Sequence, residues 1–175
     1  MNDYLQFYDL EKYLFGEVGF TFRNTGNIEP VDFFMIFIWK ANRAKTRVRD
    51  RLKNNRKAGS FEKAVKQIAQ TLWTQQDRKE RLRILMEEWE LRLPMASAIL
   101  TVLYPDEFTV YDRRVCEQLH IKGKDWTFSD ACWIEYERFQ KAVVDNTPAN
   151  LNLRDKDRFL WGKSQREDAE QDCKS

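Results

Sequence analysis

Apolar residues recur at helical spacing along nearly the whole chain. Over 3–15 they set Leu5, Tyr8, Leu10 and Leu14 near one face. A break containing Gly26 and Asn27 precedes Pro30, which suits the first turn of a long helix. That helix begins apolar, from Val31 to Trp39, and its continuation is strongly basic. Ser60 is placed to cap a helix striped by Phe61, Ala64, Val65, Ile68, Ala69 and Leu72. Residues 78–90 predict a charged amphipathic helix with Leu82, Leu85, Met86 and Trp89 inward. Pro94 opens a short apolar helix, a turn follows at 104–107, and Asp112 starts the next helix. Thr127 to Asp130 and Asn152 to Asp155 both have capping-box spacing. The first of these helices carries Trp133, Tyr136, Phe139 and Val143 and stops at Asn146-Thr147-Pro148. The second carries Phe159, Leu160 and Trp161. Strand patterns are scarce. The expected fold is therefore all-α and compact, a single domain over 1–165 followed by a polar tail, 166–175, expected to be disordered.

Composition narrows the chemistry. The chain has 175 residues, 42% of them hydrophobic, enough for one packed domain. The longest greasy run, 31–39, is nine residues and contains Asp32. A membrane span needs about 20, so no membrane partner is expected. No secretory pattern opens the chain, and Cys116, Cys132 and Cys173 form no disulfide framework or C-x-x-C site. The cysteines suit a reducing, cytoplasmic setting, and neither a cofactor nor a metal cluster is expected. With His120 as the one histidine, Ser–His or Cys–His hydrolase chemistry has little support. Near a helix end, His120 is expected to serve as a dipole partner. Carboxylates or lysines must carry any catalysis.

The net charge of +2 conceals a segregation. Between Lys40 and Lys57 nine basic residues face Asp50 alone, so these 18 residues carry +8 and the remainder −6. A single-signed run repels itself and favours a polyanion as partner over a merely solvated face.

Asp112 begins a helix, where an aspartate caps the free N–H groups. The same position favours its ionised form, which can stabilise a developing cation or orient a water. Around it the stretch from Leu93 to Leu119 resembles the helix-hairpin-helix DNA glycosylase superfamily (HhH-GPD). Leu93-Pro94 stands near the family's hairpin, Ser97-Ala98 matches its T-A, and Val110-Tyr111-Asp112 matches the V-x-D that supplies the catalytic aspartate. Phe33 to Asn42 occupies the place of the early helix whose polar residue fills the gap left by a flipped base.

The resemblance implies a divergent member with two helical layers and a pocket between them. It implies a monofunctional N-glycosylase that flips and excises a damaged or modified base, in repair or in antiviral defence against modified DNA. Asp112 would be catalytic, and Trp39, Lys40, Asn42, Phe34 and Trp161 would form the base pocket and wedge. Arg43, Lys45, Arg47, Arg51 and Arg113 would bind the backbone of double-stranded DNA, to a monomeric protein. The family's hairpin glycines are absent here, as is its cysteine cluster, and its lysine nucleophile falls near Ala96, so no lyase activity is expected. Simpler roles stand beside these. Trp39 and the phenylalanines at 33, 34 and 37 fit a core, Trp161 fits helix docking, and Lys40 fits a snorkelling side chain. Of Arg113 and Arg114, one can contact DNA while the other makes a surface pair. The alternatives for the whole chain are a catalytically inactive DNA-binding module and a protein-interaction domain with a basic helix.

Overall fold

The computed structural model describes residues 4–124 and 126–174. Positions 1–3 and 175, at the ends of the expected domain and tail, lie outside them, as does 125. Helices account for all the regular structure of the described residues, as the periodicity predicts.

The chain opens with a 3-10 turn, Tyr4–Phe7, and α1, Leu10–Tyr13. A π-helical turn at Leu14–Val18 joins α1 to α2, Gly19–Thr25. Leu5 and Tyr8, expected on the buried face, are exposed; the inward positions begin at Leu14. Gly26 ends α2 in the left-handed region, at φ 71°. It abuts the Trp73 ring, where a β-carbon would lie 2.5 Å from a ring atom.

Pro30 opens α3, Pro30–Ala41, in the first turn. The basic continuation is a separate helix, α4, Lys45–Lys53. The single long helix of the sequence pattern breaks at 42–44, where the backbone turns without Gly or Pro. Ser60 caps α5, Phe61–Thr74, by accepting from the Lys63 N–H. Asp77 caps α6, Arg78–Arg83, which runs into a π turn at Ile84–Glu88. Glu90 then takes a left-handed φ of 55° in the connection to α7, Leu93–Leu103. Arg51 donates to the Glu90 carbonyl at 2.7 Å, and Asn55 donates to that of Glu88 at 2.9 Å. Side chains from α4 and its C-terminal turn thus brace a connection that no glycine eases.

The small-residue helix α7 is the central one, buried at every position but Pro94, with α2, α3 and α6 packed on it. Asp112 caps α8, Arg113–Gln118, and His120 follows with φ 54°. Ser129, not Thr127, caps α9, Asp130–Asp145, because Ser129 accepts from the Cys132 N–H. Asn152 caps α10, Leu153–Asp172, as its spacing to Asp155 predicts. α10 continues through the stretch expected to be a tail. Arg114 pairs with Asp168 and Gln118 donates to Glu167, which ties that stretch to α8. Among the described residues, no helix is long and apolar enough to cross a membrane.

Candidate active site

The segment that delivers Asp112 is pinned residue by residue. Tyr136 donates its hydroxyl to the Thr109 carbonyl at 2.8 Å, and its oxygen accepts from the Thr109 N–H at 3.1 Å. Asp157, 2% exposed on α10, accepts from the Thr109 hydroxyl at 2.9 Å and from the Val110 N–H at 3.1 Å. Ser97, the residue matched to the family's T-A pair, accepts from the Tyr111 N–H at 2.9 Å. Three successive backbone N–H groups are therefore satisfied by buried side chains from three helices. Such a chain of bonds leaves Asp112 little freedom of position.

Asp112 caps α8 through Oδ1, which accepts from the Arg114 N–H at 2.9 Å. Its Oδ2 accepts from Lys40 Nζ at 2.5 Å. The two side chains, Lys40 and Asp112, are 11% and 23% exposed, so the pair is largely shielded from bulk water. Lys40 comes from the last turn of α3, 72 residues earlier in the chain. It does not merely snorkel.

Lys40 and Asp112 lie on the wall of a cavity of about 740 Å³ between α3, the 110–115 segment and α10. Trp39 and Trp161 line it too, with Phe159 beside them. Phe159 and Trp161 are 45% and 46% exposed, so they reach solvent as well as the cavity. Its charged wall also includes Glu11, Arg154, Asp155, Asp157 and Arg158. Arg154 is central to this wall. Its guanidinium lies 5.2 Å from the centre of the Trp39 ring and 4.9 Å from that of Phe15, while it pairs with Glu11 and Asp157. Burial pushes the Asp157 carboxyl above the usual carboxylate range, while Arg154, the Val110 N–H and the Thr109 hydroxyl pull it back. Burial also raises the Cys116 thiol to about 11, so this neighbour of the site is no thiolate nucleophile at neutral pH.

The sequence-predicted residues thus divide. Asp112, Trp39, Lys40 and Trp161 meet at one cavity. Phe34 does not: it packs edge-on to Phe37 and Phe61 in an aromatic cluster and is corrected to a core role. Asn42 is exposed in the turn after α3, where its side chain accepts from Lys45. It is off the cavity wall. Arg43 and Arg47 are exposed, whereas Arg51 is engaged with the Glu90 carbonyl. Arg113 is 89% exposed and pairs with Glu117. Sequence reasoning missed Glu11, Arg154, Asp157 and Phe159. The only trace of the Arg154–Asp157 pair is its three-residue spacing on a helix too polar to show a buried face.

Among the described residues, no three His, Cys, Asp or Glu side chains come together as a metal-binding group. Comparison with protein-family models, with curated proteins and with solved structures yields no match to this chain.

Proposed function

We propose that this protein is a DNA N-glycosylase of the helix-hairpin-helix type, which takes a damaged or modified base out of the duplex and cleaves its glycosidic bond. One observation carries the reading: Asp112 and Lys40, paired at 2.5 Å, share a cavity with Trp39 and Trp161. At about 740 Å³ the cavity is within the range of sites for small ligands and roomy for a single nucleobase. Aromatic faces suit a flat, unstacked base, whose extrusion costs a few kcal/mol that pocket and backbone contacts must offset.

Asp112 supplies the anion. Loss of the base leaves positive charge on the sugar at C1′ and its ring oxygen, and a fixed carboxylate stabilises that charge while it develops. Lys40 holds the carboxylate in place. The exposed cations Arg43 and Arg47 follow Lys40 by three and seven residues and would hold a strand by its phosphates. The partner is double-stranded DNA met by a monomer, and the biological setting is repair or defence against modified DNA.

The test incubates purified protein with duplexes carrying a panel of alkylated, oxidised, deaminated and hypermodified bases and counts abasic sites. Release of at least one base class is expected. Tight duplex binding with no base released from any member would overturn the enzyme reading in favour of a non-catalytic DNA-binding module.

A further inference from the structure

The cavity is larger than a bare base requires. At about 30 Å³ per non-hydrogen atom, water's share of its liquid, a base of about ten such atoms fills roughly 300 Å³. That is under half of the space of about 740 Å³. Much of the wall is charged, and its charges are matched. Lys40 is paired with Asp112, Arg154 with Glu11 and Asp157, and Arg158 with Glu11 and Asp155. A substituent with a charge of its own would have to displace one of these partners and leave a like charge unpaired. A neutral group carries no such penalty. Carboxylate oxygens keep lone pairs beyond those used in an ion pair, and a guanidinium carries five N–H donors. Such a wall sets acceptors beside donors, which suits hydroxyls, since each both donates and accepts. Asp155, Arg158 and Phe159 stand three and four residues apart on α10, so a polar pair and an aromatic ring share one helix face. The half-exposed Phe159 ring offers an apolar surface to the C–H face of a saturated ring.

We propose that the base taken into this cavity is a pyrimidine carrying a neutral sugar at C5, with Asp155, Arg158 and Phe159 as the subsite for that sugar. The proposal rests on the base-excision reading above and names its substrate class. A substituent at C5 of a pyrimidine projects into the major groove and leaves Watson–Crick pairing intact. A duplex modified in this way offers no mismatch to sense, so recognition has to come from the substituent itself. Hydroxyls of the sugar donate to Asp155 and accept from Arg158, and one face of the ring lies on Phe159. These contacts lie away from the glycosidic bond. They hold and orient the base and leave stabilisation of the developing charge to Asp112. A smaller base fills neither the volume nor these hydrogen bonds, and an anionic substituent at C5 meets the carboxylate of Asp155.

The experiment uses the full chain and duplexes of one sequence whose central base is cytosine, cytosine hydroxymethylated at C5, cytosine carboxylated at C5, or the glucosylated form of the hydroxymethyl base. Base release is followed in single turnover as abasic sites, and the affinity for each duplex is measured in parallel. Release of the glucosylated base should exceed that of each other base roughly 10-fold or more. Arg158→Ala and, separately, Phe159→Ala should cut this preference to within about 3-fold. The preference is a ratio read within one protein, so a general loss of affinity or stability cancels. Release of an unglucosylated base at an equal or higher rate, or a preference that survives in either variant, would overturn the proposal and leave excision standing. If no base is released from these duplexes or from the lesion panel, excision fails. Tighter binding of the glucosylated duplex that both variants abolish would then still support the sugar subsite, and equal binding of all four duplexes would refute it.

Discussion

The segment 109–112 and helix α4 answer two different demands. Every backbone N–H from Thr109 to Tyr111 is held by a buried side chain, and Asp112 is fixed by both a helix end and Lys40. Helix α4 buries one residue, Leu52, and presents cations on its remaining faces. Under the proposed function, chemistry at a sugar carbon needs a carboxylate placed to within a fraction of an ångström. Holding phosphates needs charge density, which tolerates mobile side chains. The first region should therefore respond to substitution through stability and catalysis, the second through salt-dependent affinity.

Removing Asp157 should break the pinned region most severely. Asp157→Ala leaves Arg154 short of a buried partner and the Val110 N–H unmet, at an expected cost of about 3–5 kcal/mol. Urea denaturation at neutral pH measures it, and a loss below about 1 kcal/mol would show that the segment is held by other means. Next comes Gly19→Ala. A β-carbon there would sit 2.3 Å from the Val102 carbonyl oxygen, forcing α2 from α7. The expected cost is about 1–3 kcal/mol. An unchanged melting temperature would contradict the close approach.

The connection between the regions offers a gain. Glu90→Gly removes a side chain from a left-handed backbone and should stabilise the protein by up to about 1 kcal/mol, read by the same denaturation. Destabilisation would mean that the Glu90 side chain matters more than its φ. The smallest stability effect belongs to Arg43→Ala with Arg47→Ala, within about 0.5 kcal/mol. These two should instead weaken duplex binding and lower its salt slope by about 1 for each phosphate no longer neutralised. Arg51 is a poorer probe, since its removal would also loosen the Glu90 carbonyl. An unaltered salt slope would remove α4 from the interface.

What the sequence revealed follows the range of the forces involved. The caps at Ser60, Asp112 and Asn152 are legible because cap and partner lie within three residues of each other. The apolar stripe of α5 is legible for the same local reason. The break at 42–44 carries no Pro or Gly, so the pattern runs straight through it. α10 outlasts its apolar residues because Arg114 and Gln118 reach across from α8, pairings 54 and 49 residues apart. At the site, Asp112 is visible in the sequence as a helix start, and Trp39 and Trp161 as aromatics without a fixed role. Lys40 is visible as a cation beside an apolar run and, through the resemblance, as a pocket or wedge candidate. Its pairing with Asp112 spans 72 residues and leaves no periodic trace. Phe34 misleads because an aromatic in that run reads the same whether it faces a cavity or the Phe61 cluster.

The proposed chemistry turns on the charge of Asp112. Asparagine caps a helix about as well as aspartate, so Asp112→Asn should keep α8 and the fold while removing the anion. The decisive measurement is single-turnover release of the preferred base by wild type and Asp112→Asn, at protein concentrations that saturate the duplex. A fall of roughly 100-fold or more, with duplex affinity retained and the variant still folded at the assay temperature, is the predicted result. Equal rates in the two proteins would contradict it.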